Sequence, residues 1–213
     1  MSRQTNIIIA GVGGQGTVLA SKLVARAAMD AGLAVRTSET IGMAQRGGSV
    51  VSHVRVSESP IASPLMAPGT ADTLLAFEPG EAVRCLSFLH PGGTVVANAH
   101  PVAPVSAALA STEYSGPAML ARLRECGARL VVVDGDAICA EVGSTKVLNV
   151  ALIGAAAAVG ALGFTLAQFE TAIRESVRDK FIDLNIQALH AGARAVNAQA
   201  ESPSMGCDAE RPQ

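Results

Sequence analysis

Two stretches carry residues whose types and spacing could bind a ligand. In the first, Asn6–Ala28 (NIIIAGVGGQGTVLASKLVARAA), an apolar run leads into Gly11, Gly13 and Gly16, spaced G-x-G-x-x-G, and then into a helical pattern. In such a turn the first glycine permits a tight bend and the second lets an anion approach the backbone. The third lets helix and strand pack closely. The N-terminus of the following helix offers unpaired N–H groups to a phosphate. Gly14, Gln15 and Thr17 complete the turn, and the last two offer side-chain contacts. Flavin, nicotinamide, S-adenosylmethionine and CoA-type groups all use such turns, and the same glycines can serve only a close strand–helix junction.

The second stretch is Ser38–Arg55, SETIGMAQRGGSVVSHVR. It places Glu39 ahead of Arg46, Gly47, Gly48 and Ser49, directly before a β-branched run. An arginine beside two glycines and a serine supplies a charge and exposed backbone donors, which suits a phosphate or a carboxylate.

A nicotinamide-dependent oxidoreductase needs more than the turn. It requires an acid about 20 residues further on, at the end of the second strand, for the adenosine ribose. Position 36 is Arg, and the first acid is Glu39. The single tyrosine, Tyr114, has Ala118 four positions later, so no Tyr-x-x-x-Lys pair exists. His53, His90, His100 and His190 are scattered, and no residue is assigned as a catalyst. Cys85, Cys126, Cys139 and Cys207 form no C-x-x-C pair, which argues against a zinc site or an iron–sulfur cluster held by this chain alone. The net charge of −2 and an aromatic content of 3% give neither the basic footprint nor the stacking platform of a nucleic-acid binder.

The elements that must position these residues follow from periodicity. Short strands are predicted at Asn6–Ala10, in LAVRT, at Ser49–Val56, at Thr73–Phe77, in TVVANA after a PGG turn, and at Arg129–Asp134. The first helix carries Leu19, Leu23 and Ala27 and stops near Gly32; a second begins at EPGEAVRC. Asp134 and Asp136 are assigned to a turn after a strand. Three helical patterns close the chain, at about 143–162, 165–180 and 183–198. The alternation predicts an α/β, Rossmann-like three-layer sandwich: a mostly parallel sheet with a C-terminal helical layer. No helix is evident between the second strand and SVVSHVRV, which departs from a standard doubly wound order. VLNVALIGAAAAVGALGF (Val147–Phe164) is long enough to cross a bilayer, but its Ala and Gly drive insertion weakly and predict a buried or subunit-facing helix. One domain over 1–198 and a disordered tail over 199–213 are expected. With 49% hydrophobic residues, unpaired cysteines and no signal-peptide pattern, a cytoplasmic globule without membrane contact is expected.

GVGGQG followed by ETIGMAQRGGSVVSHVR resembles the gamma component of 2-oxoacid:acceptor (ferredoxin) oxidoreductases, and within it the small beta subunits of the indolepyruvate-type enzymes. PGGTVVAN (Pro91–Asn98), KVLNVALIGA (Lys146–Ala155) and NIQALHAG (Asn185–Gly192) resemble later family segments in the same order, so the likeness covers roughly residues 5–195. The resemblance implies an accessory subunit without cofactor of its own and inactive by itself. Its larger partner would carry thiamine diphosphate and iron–sulfur clusters. The assembled enzyme would oxidatively decarboxylate indolepyruvate or another 2-oxoacid with CoA and reduce ferredoxin. Gly11, Gly13, Gly14, Gln15, Gly16, Thr17, Glu39, Arg46, Gly47, Gly48 and Ser49 become candidates for an anion pocket. Asn149 and Asn185 are expected to cap backbone groups or meet the partner. Homodimerisation of the isolated chain is compatible with the sequence. The alternatives are a free-standing NAD(P)-dependent oxidoreductase and a non-catalytic small-molecule binding protein.

Overall fold

A computed structural model describes residues 4–42, 48–102 and 114–201. Six strands form one sheet: β1 (Gln4–Val12), β2 (Ala34–Ile41), β3 (Ser49–Ser57), β4 (Ala71–Ala76), β5 (Leu89–Asn98) and β6 (Arg129–Val133). The helices are α1 (Thr17–Asp30), α2 (Pro79–Cys85), α3 (Gly116–Arg124), α4 (Gly135–Val142), α5 (Leu148–Ala158), α6 (Leu166–Ser176) and α7 (Ile182–Glu201). The strand order is β2-β3-β1-β4-β5-β6. β1, β4, β5 and β6 are parallel, whereas β3 pairs antiparallel with β1 on one side and β2 on the other. The departure from a doubly wound order thus has its cause: β2 and β3 pair antiparallel as neighbours, and β3 is inserted beside β1.

Alternation along β1 makes the layers. Ile7 and Ile9 face one side and pack with Leu23, Val24 and Ala27 of α1 and with α5, α6 and α7. Ile8 and Ala10 face the other, with Ala82 and Cys85 of α2 and Leu123 of α3. On that second side His53 is buried edge-on to Phe88, and its Nδ1 accepts the Met66 N–H at 3.3 Å. Burial lowers the His53 pKa, which keeps the ring neutral and able to accept.

Helix ends follow local chemistry. Gly32, at φ 74°, closes α1: its N–H reaches Met29 O and that of Leu33 reaches Ala28 O, a Schellman pair. Thr165 and Gln168 form a capping box on α6, and Phe164 packs edge-on against Phe169 across it as a hydrophobic staple. Asp134 and Asp136, assigned from sequence to a turn, instead open α4. The Asp134 carboxylate accepts the Ala137 N–H at 2.9 Å and caps the helix directly after β6. The PGG predicted as a turn before TVVANA lies within β5, where the register with β4 shifts.

The Ala- and Gly-rich segment forms α5, buried through most of its length against α7. Two glycines allow the approach: a Cβ on Gly154 would lie 1.9 Å from Leu189 O, and one on Gly192 would lie 1.8 Å from Ala151 O. Among the described residues no helix is long and apolar enough to cross a membrane. The predicted tail falls largely on 202–213, outside the described residues, while α7 continues to Glu201. Because a rigid backbone opposes each missing Cβ, Gly154→Ala or Gly192→Ala should lower unfolding stability by about 1–3 kcal/mol or more. Urea denaturation checks this; an unchanged midpoint would contradict the packing.

Candidate functional site at the carboxyl edge of the sheet

The carboxyl ends of β1, β4, β5 and β6 lie at one edge of the sheet, where open α/β folds place ligands. The helices after β1 and β4 cover opposite faces, so the sheet has its switch point between these two strands. The glycine turn stands there, and the two sequence motifs meet on it. The Gly13 N–H donates to Gly48 O at 2.7 Å, seating the start of β3 on the turn. In a dinucleotide site the backbone of the second glycine would face the pyrophosphate. Here its donor is taken by the chain itself.

Gln15 also folds inward. Its Oε1 accepts the Val12 N–H at 2.8 Å and its Nε2 donates to Phe77 O at 3.1 Å, across the switch point. Gly11 leaves room for this: a Cβ there would lie 2.9 Å from the Gln15 Oε1. Phe77 O also accepts from Asn98 Nδ2 at 3.3 Å, and Asn98 Oδ1 accepts the Gly135 N–H at 3.1 Å. Three loops at the carboxyl edge are thereby tied together through two side-chain amides. Gly16 begins α1 with φ 82°, and Asn149 Nδ2 donates to its carbonyl at 3.2 Å. Asn185 donates to Phe181 O at 2.8 Å, so both asparagines bond backbone carbonyls. α1 has no side-chain cap and no acid in its first turn, which leaves its N-terminus available to an anion.

Glu39 is placed elsewhere. It is exposed on β2, and its carboxylate accepts from Ser21 Oγ on α1 at 2.9 Å. Because β3 separates β2 from β1, Glu39 is not on the strand beside the glycine turn, where a ribose-binding acid would stand. Arg46 and Gly47 lie outside the described residues.

Ser49 leads to a group that the sequence did not reveal. Its hydroxyl bonds Glu81 Oε2 at 2.7 Å and accepts from Arg84, which also bonds Glu81 through Nε at 3.1 Å. Glu78, buried at the start of α2, accepts the Glu81 N–H at 2.8 Å and the Tyr114 hydroxyl. Burial, reinforced by Glu78, pushes the Tyr114 pKa upward and keeps its hydroxyl protonated. These side chains line an open cleft of about 550 Å³ with Val12, Gly48 and Met119. The acids at Glu78 and Glu81 were readable only as a helix start, since Ser49 and Tyr114 join them from 32 and 36 positions away. Burial raises the Cys85 thiol to about 11, so it remains protonated at neutral pH. Among the described residues no group of three His, Cys, Asp or Glu side chains is arranged to hold a metal.

The pyruvate ferredoxin/flavodoxin oxidoreductase family model matches residues 6–195. The chain belongs to this family. Within the family it is 39% identical over 188 residues to the indolepyruvate oxidoreductase subunit IorB of Archaeoglobus fulgidus, covering 88% of this chain and 92% of that one. It is 36% identical over 195 residues to IorB of Thermococcus kodakarensis, covering 91% and 96%. The family fold is seen in the gamma subunit of a keto/oxoacid ferredoxin oxidoreductase from Geobacter sulfurreducens, with TM-score 0.67, 23% identity and coverage of 91% of this chain and 99% of that one. It recurs in a 2-oxoglutarate:ferredoxin oxidoreductase from Magnetococcus marinus, with TM-score 0.71 and 19% identity. There 93% of this chain covers 32% of the longer polypeptide.

Within this family member the turn is held by Gln15, and that gives a direct test. Gln15→Ala leaves the Val12 N–H and one bond to Phe77 O unmet, at a cost of about 1–3 kcal/mol for a group left buried and unsatisfied. Gln15→Glu keeps the acceptor for Val12 but sets a carboxylate oxygen against Phe77 O, and should lose at least as much. Equal stability of all three proteins in urea would show that Gln15 does not hold the turn.

Proposed function

We propose that this chain is the small, non-catalytic subunit of a 2-oxoacid:ferredoxin oxidoreductase that acts on indolepyruvate or another aryl pyruvate. The observation that carries the reading is the match to IorB subunits over nearly the full length of both chains. In the assembled enzyme a larger partner holds thiamine diphosphate and iron–sulfur clusters, and the reaction converts a 2-oxoacid and CoA to acyl-CoA and CO2 while ferredoxin accepts the electrons. The free cysteines among the described residues support placing the clusters elsewhere: Cys85 and Cys139 are buried and Cys126 is exposed.

The part left to this subunit is an anion pocket at the carboxyl edge. The uncapped start of α1, with Gly14, Gly16 and Thr17, would bind a phosphate of CoA or border the thiamine site at the subunit junction. Arg46 and Gly47 are assigned to it from the sequence motif, as the charge and a backbone donor for the same anion. Gly11, Gly13, Gln15, Gly48 and Ser49 would shape it from behind, since their hydrogen bonds and packing are spent on the turn and the cleft.

Anaerobic assays of this chain, of the larger subunit and of their mixture test the reading. Ferredoxin reduction with indolepyruvate and CoA is expected in the mixture alone. Arg46→Ala is expected to raise the KM for CoA by roughly tenfold, the loss of one charge-assisted contact of about 1.5 kcal/mol. Full activity of the larger subunit by itself would refute an accessory role, and an unchanged KM would remove Arg46 from the pocket.

A further inference from the structure

We infer that β2 is the surface through which two copies of this chain associate, pairing antiparallel about a twofold axis at Ser38 to form one continuous sheet. β2 is the end strand of the sheet, eight residues long, and no described element pairs with its outer edge. It carries no proline, and its register with β3 is unbroken from Ala34 to Ile41. Natural edge strands are usually protected by shortness, proline, bulges or charged side chains; β2 has only the last, in Arg36 and Glu39. The opposite edge, β6, is five residues long.

The sequence of β2 selects the occupant. A twofold axis perpendicular to a sheet keeps each face on its own side, so the axis must pass through a residue paired with itself. At Arg36 or Glu39 it would set like charges opposite each other, which is unfavourable. At Thr37 it would put Val35 against the Glu39 carboxylate of the second copy. At Ser38 it sets Val35 opposite Ile41, Thr37 opposite Glu39 and Arg36 opposite Thr40, with Ser38 facing itself. Apolar then meets apolar and each charge meets a hydroxyl, along the whole strand.

Two exposed apolar residues gain a partner from this register. Ile41 is 62% exposed and Met29 is 55% exposed. Ala25 and Met29 follow Ser21 at intervals of four along α1, toward the flank from which Ser21 reaches Glu39. Met29 lies in the last turn of α1, shortly before β2 begins, and Val35 lies near that beginning. Ile41 of a second copy, set opposite Val35 on the face that α1 covers, would lie beneath Met29. The apolar contact reinforces the backbone ladder.

The test uses the full chain with Cys126 and Cys207 changed to Ser. Opposed residues of an antiparallel pair have Cα atoms about 4.5–5.5 Å apart, within the span of a disulfide. Ser38→Cys should therefore give a cross-linked dimer under mild oxidation, while Arg36→Cys and Thr37→Cys should not. By sedimentation the parent protein should be dimeric, and Ile41→Asp should weaken association by roughly tenfold or more. A monomeric parent, or cross-linking through Arg36→Cys or Thr37→Cys instead, would overturn the proposal. So would protection of the β2 amides from hydrogen exchange only after the larger subunit is added, which would assign the edge to that subunit. These readouts do not involve catalysis, so an inactive complex leaves them intact.

Discussion

The Gly13 N–H donates to the Gly48 carbonyl at 2.7 Å, and through that bond the end of β1 and the start of β3 become one unit. The antiparallel pairing of these strands, from Gln4↔Ser57 to Val12↔Ser49, carries the contact to the edge of the sheet. With β3 beside β1, β2 is displaced outward and Glu39 goes with it. The same insertion brings Ser49 to Glu81 and Arg84, and so fixes the wall of the cleft. Four consequences thus follow from one topological choice: the occupied turn, the displaced acid, the lined cleft and the exposed β2 edge.

The turn is consequently a different object from the dinucleotide-binding turn that shares its spacing. The glycines are needed at Gly11 because Gln15 folds against it, and at Gly16 because of its left-handed backbone and the Asn149 side chain that packs on it. Both are internal requirements of the fold, and a regular spacing of glycines expresses them as readily as it expresses a cofactor. What remains for a ligand is the field of the α1 N-terminus, which is shared by phosphate binders of many kinds. That suits the anion contact proposed for this subunit.

Much of this organisation is written locally. The apolar and β-branched runs marked the strands, Gly32 marked the end of α1, and the lack of a helical pattern between the second and third strands marked a departure from a doubly wound order without revealing the hairpin behind it. The Ala-rich segment was legible as a buried helix because its apolar residues surround it. The Asp134 cap was missed because an aspartate after a strand fits a turn or a helix start equally well. The cleft escaped for another reason. Glu78 meets Tyr114 and Glu81 meets Ser49 only through tertiary contacts, and no periodicity encodes them. The inward fold of Gln15 was likewise unreadable, since a glutamine in a glycine turn serves a ligand or the backbone with the same atoms.

The measurement that tests this account most directly is a calorimetric titration of the isolated, folded chain with NAD(H) and NADP(H). The occupied Gly13 donor and the displaced Glu39 predict no stoichiometric binding of either nucleotide. Saturable one-to-one binding, lost in a Gly13→Ala variant that still folds, would contradict it and return the glycine turn to the dinucleotide-binding enzymes.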